Sequence, residues 1–85
     1  MASYKITFKK SVKKDLRKID PAHLPKILRR LEKLAVDPRP AGCKKLSTKD
    51  IYRVRQGSYR IVYEIMDDRL IVIVVAVGSR GSVYS

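Results

Sequence analysis

Three arginines interrupt a stretch that otherwise has the pattern of a β-hairpin. Residues 51 to 65, IYRVRQGSYRIVYEI, alternate between apolar and other side chains and place Arg53, Arg55 and Arg60 among residues needed for a core. A guanidinium is planar and permanently charged, and its fork of N–H donors grips a phosphate with two parallel bonds. No lysine stands in this stretch, and Tyr52, Tyr59 and Tyr63 interleave with the arginines, as aromatic rings do on surfaces that stack bases. Such a set can hold a nucleic-acid backbone and stabilise charge that builds on a phosphorus centre. It is poor at proton transfer, because arginine stays protonated up to a pH above about 12. The plainer alternative is that arginine merely solubilises an open sheet face and covers apolar surface with its stem.

The elements that carry these residues set where they point. Tyr52 and Val54 share one side of the first hairpin strand, and Tyr59, Ile61, Tyr63 and Ile65 share one side of the second. Both sets are core-like, and they meet on one face when opposed residues have numbers that sum to an odd value. A tight turn at Gln56-Gly57 would pair Val54 with Tyr59 and Tyr52 with Ile61. Arg53 would then face Arg60, with Arg55 opposite Ser58. Like charges directly opposed on a sheet are destabilising, so the pair calls for an anion between them or for a reason outside folding. In this register Tyr52, Tyr59 and Tyr63 belong to the core side.

Around the hairpin, YKITF at residues 4 to 8 has the period of two expected of a half-buried strand. A short helix over roughly residues 11 to 19 repeats Val12, Leu16 and Ile19, with Ser11 placed to cap it. Asp20-Pro21 ends it. A second helix carries Leu24, Ile27, Leu28, Leu31 and Leu34 on one stripe, takes Pro25 in its first turn, and stops before Asp37-Pro38. The run DPRPAGCKKLSTKD reads as a connecting loop anchored by Leu46. Asp67-Asp68 turns the chain into LIVIVVAV, residues 70 to 77, which reads as a strand buried on both faces, and GSRGSVYS closes the sequence. The sum is an α+β fold of order β-α-α-β-β-β: an N-terminal strand, a helical hairpin and a three-stranded antiparallel meander, with the helices on one sheet face. No repeat is visible, and 85 residues are expected to form one domain over 1–85.

Composition narrows the partners. Twenty Lys and Arg against eight Asp and Glu give a formal charge of +12, a field that attracts polyanions. Nucleic acid is the first candidate, an acidic protein the second, an anionic membrane surface the third. A single cysteine, Cys43, cannot form an internal disulfide, and with one histidine, His23, no metal site is expected. His23 reads as a surface or capping residue at the start of the second helix, and Cys43 as incidental. The charged start MASYKITFKK lacks the apolar heart of a signal peptide, and the longest apolar run is too short to span a bilayer, so the expected location is cytoplasmic.

The stretch YRVRQGSYRIVYEI, with the later V-G-x-R and closing V-Y, resembles the RelE toxins of the RelE/ParE superfamily of toxin–antitoxin modules. The resemblance implies a four-stranded sheet with an N-terminal helical hairpin. It implies a ribosome-dependent endoribonuclease that cuts mRNA in the A site and needs no cofactor. It also implies roles for residues of this chain: Arg53 and Arg55 contacting mRNA phosphates, Arg60 stabilising the transition state, Arg80 near the leaving 5′-oxygen, and Tyr84 as the base that activates the ribose 2′-hydroxyl. An acidic antitoxin would hold such a toxin in check, and operator DNA would be reached only through that antitoxin. Lys44 and Lys45, like Lys13, Lys14 and Lys18 of the first helix, read equally as solvated charge or as contacts to rRNA phosphates. Three features depart from the family pattern: arginine rather than lysine at 53 and 55, Ser79 where many relatives have histidine, and an end one residue after Tyr84. A second branch of the superfamily poisons DNA gyrase without catalysis, and a plain nucleic-acid-binding module is the remaining alternative.

Overall fold

The computed structural model describes residues 3–79, so Arg80, Val83 and Tyr84 lie outside the described residues. The elements are β1 (Lys5–Phe8), α1 (Lys10–Arg17), α2 (Leu24–Val36), β2 (Lys44–Lys45), β3 (Ile51–Gln56), β4 (Tyr59–Met66) and β5 (Ile71–Ser79). They build one five-stranded sheet in the order β1-β5-β4-β3-β2, with β1 parallel to β5 and the other pairs antiparallel. The expected β-α-α-β-β-β layout holds, with β2 as an added edge strand inside the stretch that reads as loop. Two lysines carry no hydrophobic alternation, which is why β2 leaves no period in the sequence.

Both helices cover the same sheet face. Val12, Ile19, Ile27, Leu31 and Leu34 are buried against Val54, Ile61, Tyr63, Ile65, Val72, Val74 and Val77. Pro25 stands in the first turn of α2 as expected. Ser11 does not cap α1: Lys9 holds that position, because its N–H is already bonded to the Val74 carbonyl and the chain turns helical straight after β1. Leu28 drops off the α2 stripe and is 42% exposed, since 3.6 residues per turn rotate it past the sheet. The loop before β3 is anchored by buried Pro38 and by Cys43 packing on the core, whereas Leu46 stays exposed.

The hairpin register differs from the expected one by two residues. Val54 faces Ile61, Tyr52 faces Tyr63 and Gln56 faces Tyr59, so the turn is Gly57-Ser58. Gly57 has φ +62° and no non-glycine in the turn is positive, as a type II′ turn requires. A turn at Gln56-Gly57 would have forced a positive φ on Gln56. Because the slip is of two residues, each side chain keeps its face.

β5 is not buried on both faces. Val72, Val74 and Val77 are buried, while Ile71, Ile73, Val75 and Ala76 are only half-buried on the side without helices. A bulge keeps the core set together: Val62 pairs with Ala76 but Tyr63 with Val74, so Val75 is the extra residue and Val77 returns to the core face.

Candidate RNA-binding face

The face that the helices leave uncovered carries a cluster of cations. Register places Arg55 directly opposite Arg60, and Lys44 directly opposite Arg53. Arg53 faces Val62, not Arg60, because of the two-residue correction at the turn. Two like-charged cross-strand pairs therefore stand side by side, with side chains about 4.5–5.5 Å apart at their Cβ atoms. Gly78 is the neighbour of Arg60 on β5, so the row Arg55–Arg60–Gly78 ends without a side chain. Val62 and Ala76 form the apolar floor beside Arg53.

The guanidinium stems are not loose. Arg55 is exposed, while Arg53 and Arg60 are half-buried, and the Arg53 Nε is screened from solvent with no hydrogen-bond partner. A shallow hollow of about 320 Å³ opens at the hairpin tip, lined by Arg55, Gly57, Ser58, Tyr59 and Arg60. A somewhat larger one, about 340 Å³, lies on the helix side between α1 and β5, lined by Asp15, Lys18, Tyr59 and Ala76 to Ser79 among others. It contains none of the hairpin arginines.

Lys44 belongs to the arginine face, and Lys45 does not: Lys45 pairs with Tyr52, whose ring is on the core side. Tyr52, Tyr59 and Tyr63 all lie on the helix side, as the pattern indicates, so no hairpin tyrosine is offered to bases on the arginine face. His23 is exposed at the N-cap of α2, makes no capping bond, and has its ring 5.6 Å from that of Tyr59. Arg80 and Tyr84 lie outside the described residues. The described chain ends at Ser79, opposite Tyr59 and next to the Arg60 row.

A clamp that the sequence pattern does not reveal ties down the loop that leads into β2. Arg39, in the loop before β2, donates two bonds to the Asp67 carboxylate, 3.0 and 2.8 Å, and one from Nε to the Tyr52 hydroxyl, 3.1 Å. Its guanidinium also lies 5.1 Å from the Tyr52 ring centre. Tyr4 donates its hydroxyl to the same Asp67, 2.7 Å. The Arg39 bonds, then the Tyr4 bond, hold the Asp67 carboxyl down to about 2, and the Asp67 bond raises both Arg39 and the Tyr4 phenol. Below the clamp, buried Tyr63 donates to the Pro38 carbonyl, 2.7 Å, and burial pushes its phenol well above the usual range. The β4–β5 turn, the sheet and the 37–43 loop are thus tied at one end, and β2 follows that loop directly. Partners so far apart in sequence, |i−j| of 28 and 63, leave no local signal.

Comparison with known proteins agrees with this architecture. Residues 6–84 match the family described as ParE toxin of type II toxin–antitoxin system, parDE. A putative RelE-like toxin protein of Escherichia coli is 33% identical over 79 residues, covering 91% of this chain and 83% of its own. The chain belongs to the RelE/ParE toxin family. This RelE-type toxin is also 29% identical to the mRNA interferase toxin RelE of Escherichia coli K12, over 98% of this chain and 92% of the relative. The toxin in the crystal structure of the intact E. coli RelBE toxin–antitoxin complex superposes with a TM-score of 0.80 at 26% identity, covering 91% of this chain and 96% of that one. The helical hairpin on one sheet face is thus a family trait, and the arginine face is the opposite side of the same sheet.

Proposed function

We propose that this protein is the toxin of a toxin–antitoxin module, a single toxin domain that cuts mRNA in the ribosomal A site. The observation that carries this reading is the gathering of Arg53, Arg55, Arg60 and Lys44 on the helix-free face as two like-charged pairs. Folding alone disfavours that arrangement, and a bound phosphate backbone reverses the sign of its energy. Relatives that bear the name mRNA interferase support the same activity.

In this mechanism Arg53, Arg55 and Lys44 hold consecutive phosphates, and the ribose 2′-hydroxyl attacks its own 3′-phosphate. Arg60 offsets the charge on the pentavalent phosphorane, Arg80 stabilises the departing 5′-oxygen, and Tyr84 accepts the 2′-hydroxyl proton. The 2′-oxygen-to-phosphorus bond forms as the bond to the 5′-oxygen breaks, and the departing 5′-oxygen takes a proton from solvent water, leaving a cyclic phosphate and a 5′-hydroxyl. No metal enters this scheme: phosphate charge is met by guanidinium groups. Positioning carries much of the catalysis, which accords with a substrate oriented by the ribosome. The antitoxin partner is an acidic protein, operator DNA is reached through it, and the toxin acts in the cytoplasm. Among the described residues no helix is long and apolar enough to cross a membrane.

Primer extension on mRNA from cells induced for wild type, Arg60→Ala and Tyr84→Phe tests the proposal. Cuts within codons of translated messages, lost in Arg60→Ala and reduced in Tyr84→Phe, are expected. The alternative, a non-enzymatic gyrase poison, is the less favoured reading, because named relatives are mRNA interferases. Growth arrest with no mRNA cuts would favour that alternative instead.

A further inference from the structure

A second basic surface lies on the helix side of the hairpin, away from the arginine face. Lys26, Arg29, Arg30 and Lys33 of α2, with Gln56 at the end of β3, line a hollow of about 270 Å³. Their spacing of i, i+3, i+4 and i+7 sets all four cations on one flank of the helix. Each is three or four residues from another cation, an arrangement that repels and weakens the helix. Glu32, the only acidic residue of α2, does not line the hollow. Among the described residues none of the four forms an ion pair or hydrogen bond. Arg30 is half-buried with its Nε screened from solvent, so packing of its stem fixes the guanidinium.

We propose that this stripe is a second RNA-docking site, which grips the phosphate backbone of ribosomal RNA while the arginine face holds the mRNA. The inference rests on the nuclease reading and deepens it. From Lys26 to Lys33 the stripe runs about 10 Å along the helix axis, the length of roughly three phosphates of one strand. No apolar side chain lines the hollow. An antitoxin segment would need such anchors, because protein interfaces concentrate binding on buried aromatic and aliphatic residues. Nucleic-acid interfaces are polar and positive, as this one is. Geometry also joins the two sites: Arg55 points to the arginine face while its neighbour Gln56, paired with Tyr59, points to the α2 hollow. The β3–β4 hairpin is thus a wedge with a phosphate-binding hollow on each side.

The test combines Lys26→Gln, Arg29→Gln and Lys33→Gln in one variant. All three residues are exposed, so the fold is retained, which a thermal melt checks. Affinity for purified ribosomes is measured across a KCl series beside wild type and a control with Lys9→Gln, Lys10→Gln and Lys49→Gln, also exposed and of equal charge loss. The α2 variant is expected to bind at least about tenfold more weakly at moderate salt, with the slope of log K against log salt shallower by about 2 to 3. At saturating ribosome its cleavage rate is expected to stay near wild type, because α2 does not touch the reacting atoms. Unchanged ribosome affinity, or an equal loss in the control, overturns the inference and leaves the nuclease reading standing. Loss of affinity for the co-expressed antitoxin with ribosome binding intact assigns the stripe to a protein partner and also overturns it. Wild type that neither binds nor cuts on ribosomes overturns the nuclease reading itself.

Discussion

The opposition of Arg55 and Arg60 sets stability against the proposed RNA binding within two side chains. Replacing Arg55 with Thr is expected to raise stability by a few tenths of a kcal/mol, by removing repulsion across the strand pair. The same change is expected to lower RNA affinity, so a denaturant titration and an RNA-binding titration should move in opposite directions. A fall in both would mean that Arg55 is part of the folding energetics alone. Tyr63→Phe is expected to destabilise by about 1–3 kcal/mol, because it strands the buried Pro38 carbonyl without its donor. Asp67 makes the fold sensitive to acid. Its carboxyl titrates near 2 in the folded chain and near 4 in the unfolded one, so its stabilisation is complete above about pH 4 and is lost as pH falls toward 2. Melting temperatures followed from pH 5 to 2 should fall more steeply for wild type than for Asp67→Asn. The residues of the arginine face are readable in the sequence because strand alternation assigns a side to each one. The clamp of Arg39, Asp67 and Tyr4 is not, because it joins a loop, a turn and an N-terminal strand that only the finished fold brings together.

The element that positions the site is the β3–β4 hairpin, and its register turns on Gly57. Hydrophobic alternation specifies faces but cannot separate registers that differ by two residues; that choice lies with turn chemistry. Here the glycine occupies the first position of a type II′ turn, which pairs Arg55 rather than Arg53 with Arg60. Space for a methyl group exists at Gly57, since nothing lies within 4 Å of where a Cβ would sit, so the conformation is the constraint. Gly57→Ala is expected to cost about 1–2 kcal/mol in a thermal or denaturant melt. A neutral result would show that the turn relaxes to another type. β5 shows a similar limit to pattern reading. Its run of apolar residues reads as doubly buried, yet the bulge at Val75 and the missing second layer leave one side half-exposed. Beyond the end of β1, the Val77 N–H of β5 donates to the Asp15 carboxylate of α1, 3.1 Å, which ties the helix to the sheet. No sequence period announces such a bond.

Across the whole molecule the formal charge is +12, and two of its clusters form distinct basic surfaces. Arg39 pairs with Asp67 and with Asp50. Self-repulsion among so many cations lowers the stability of the free chain, so an acidic partner should raise its melting temperature. The fold class and the side taken by each hairpin residue follow from periodicity. The edge strand β2, which brings Lys44 to Arg53, follows from tertiary packing. Catalysis by the arginine face with the ribosome as platform is the central proposal for this protein. The most direct measurement is single-turnover cleavage of one mRNA by the purified protein, naked and bound in the A site of programmed ribosomes, with wild type and Arg60→Ala. Rapid cutting on the ribosome alone, slowed about 100- to 1,000-fold in Arg60→Ala, is the predicted result. Equal cutting of naked mRNA, or an Arg60→Ala rate equal to wild type on the ribosome, would contradict the account.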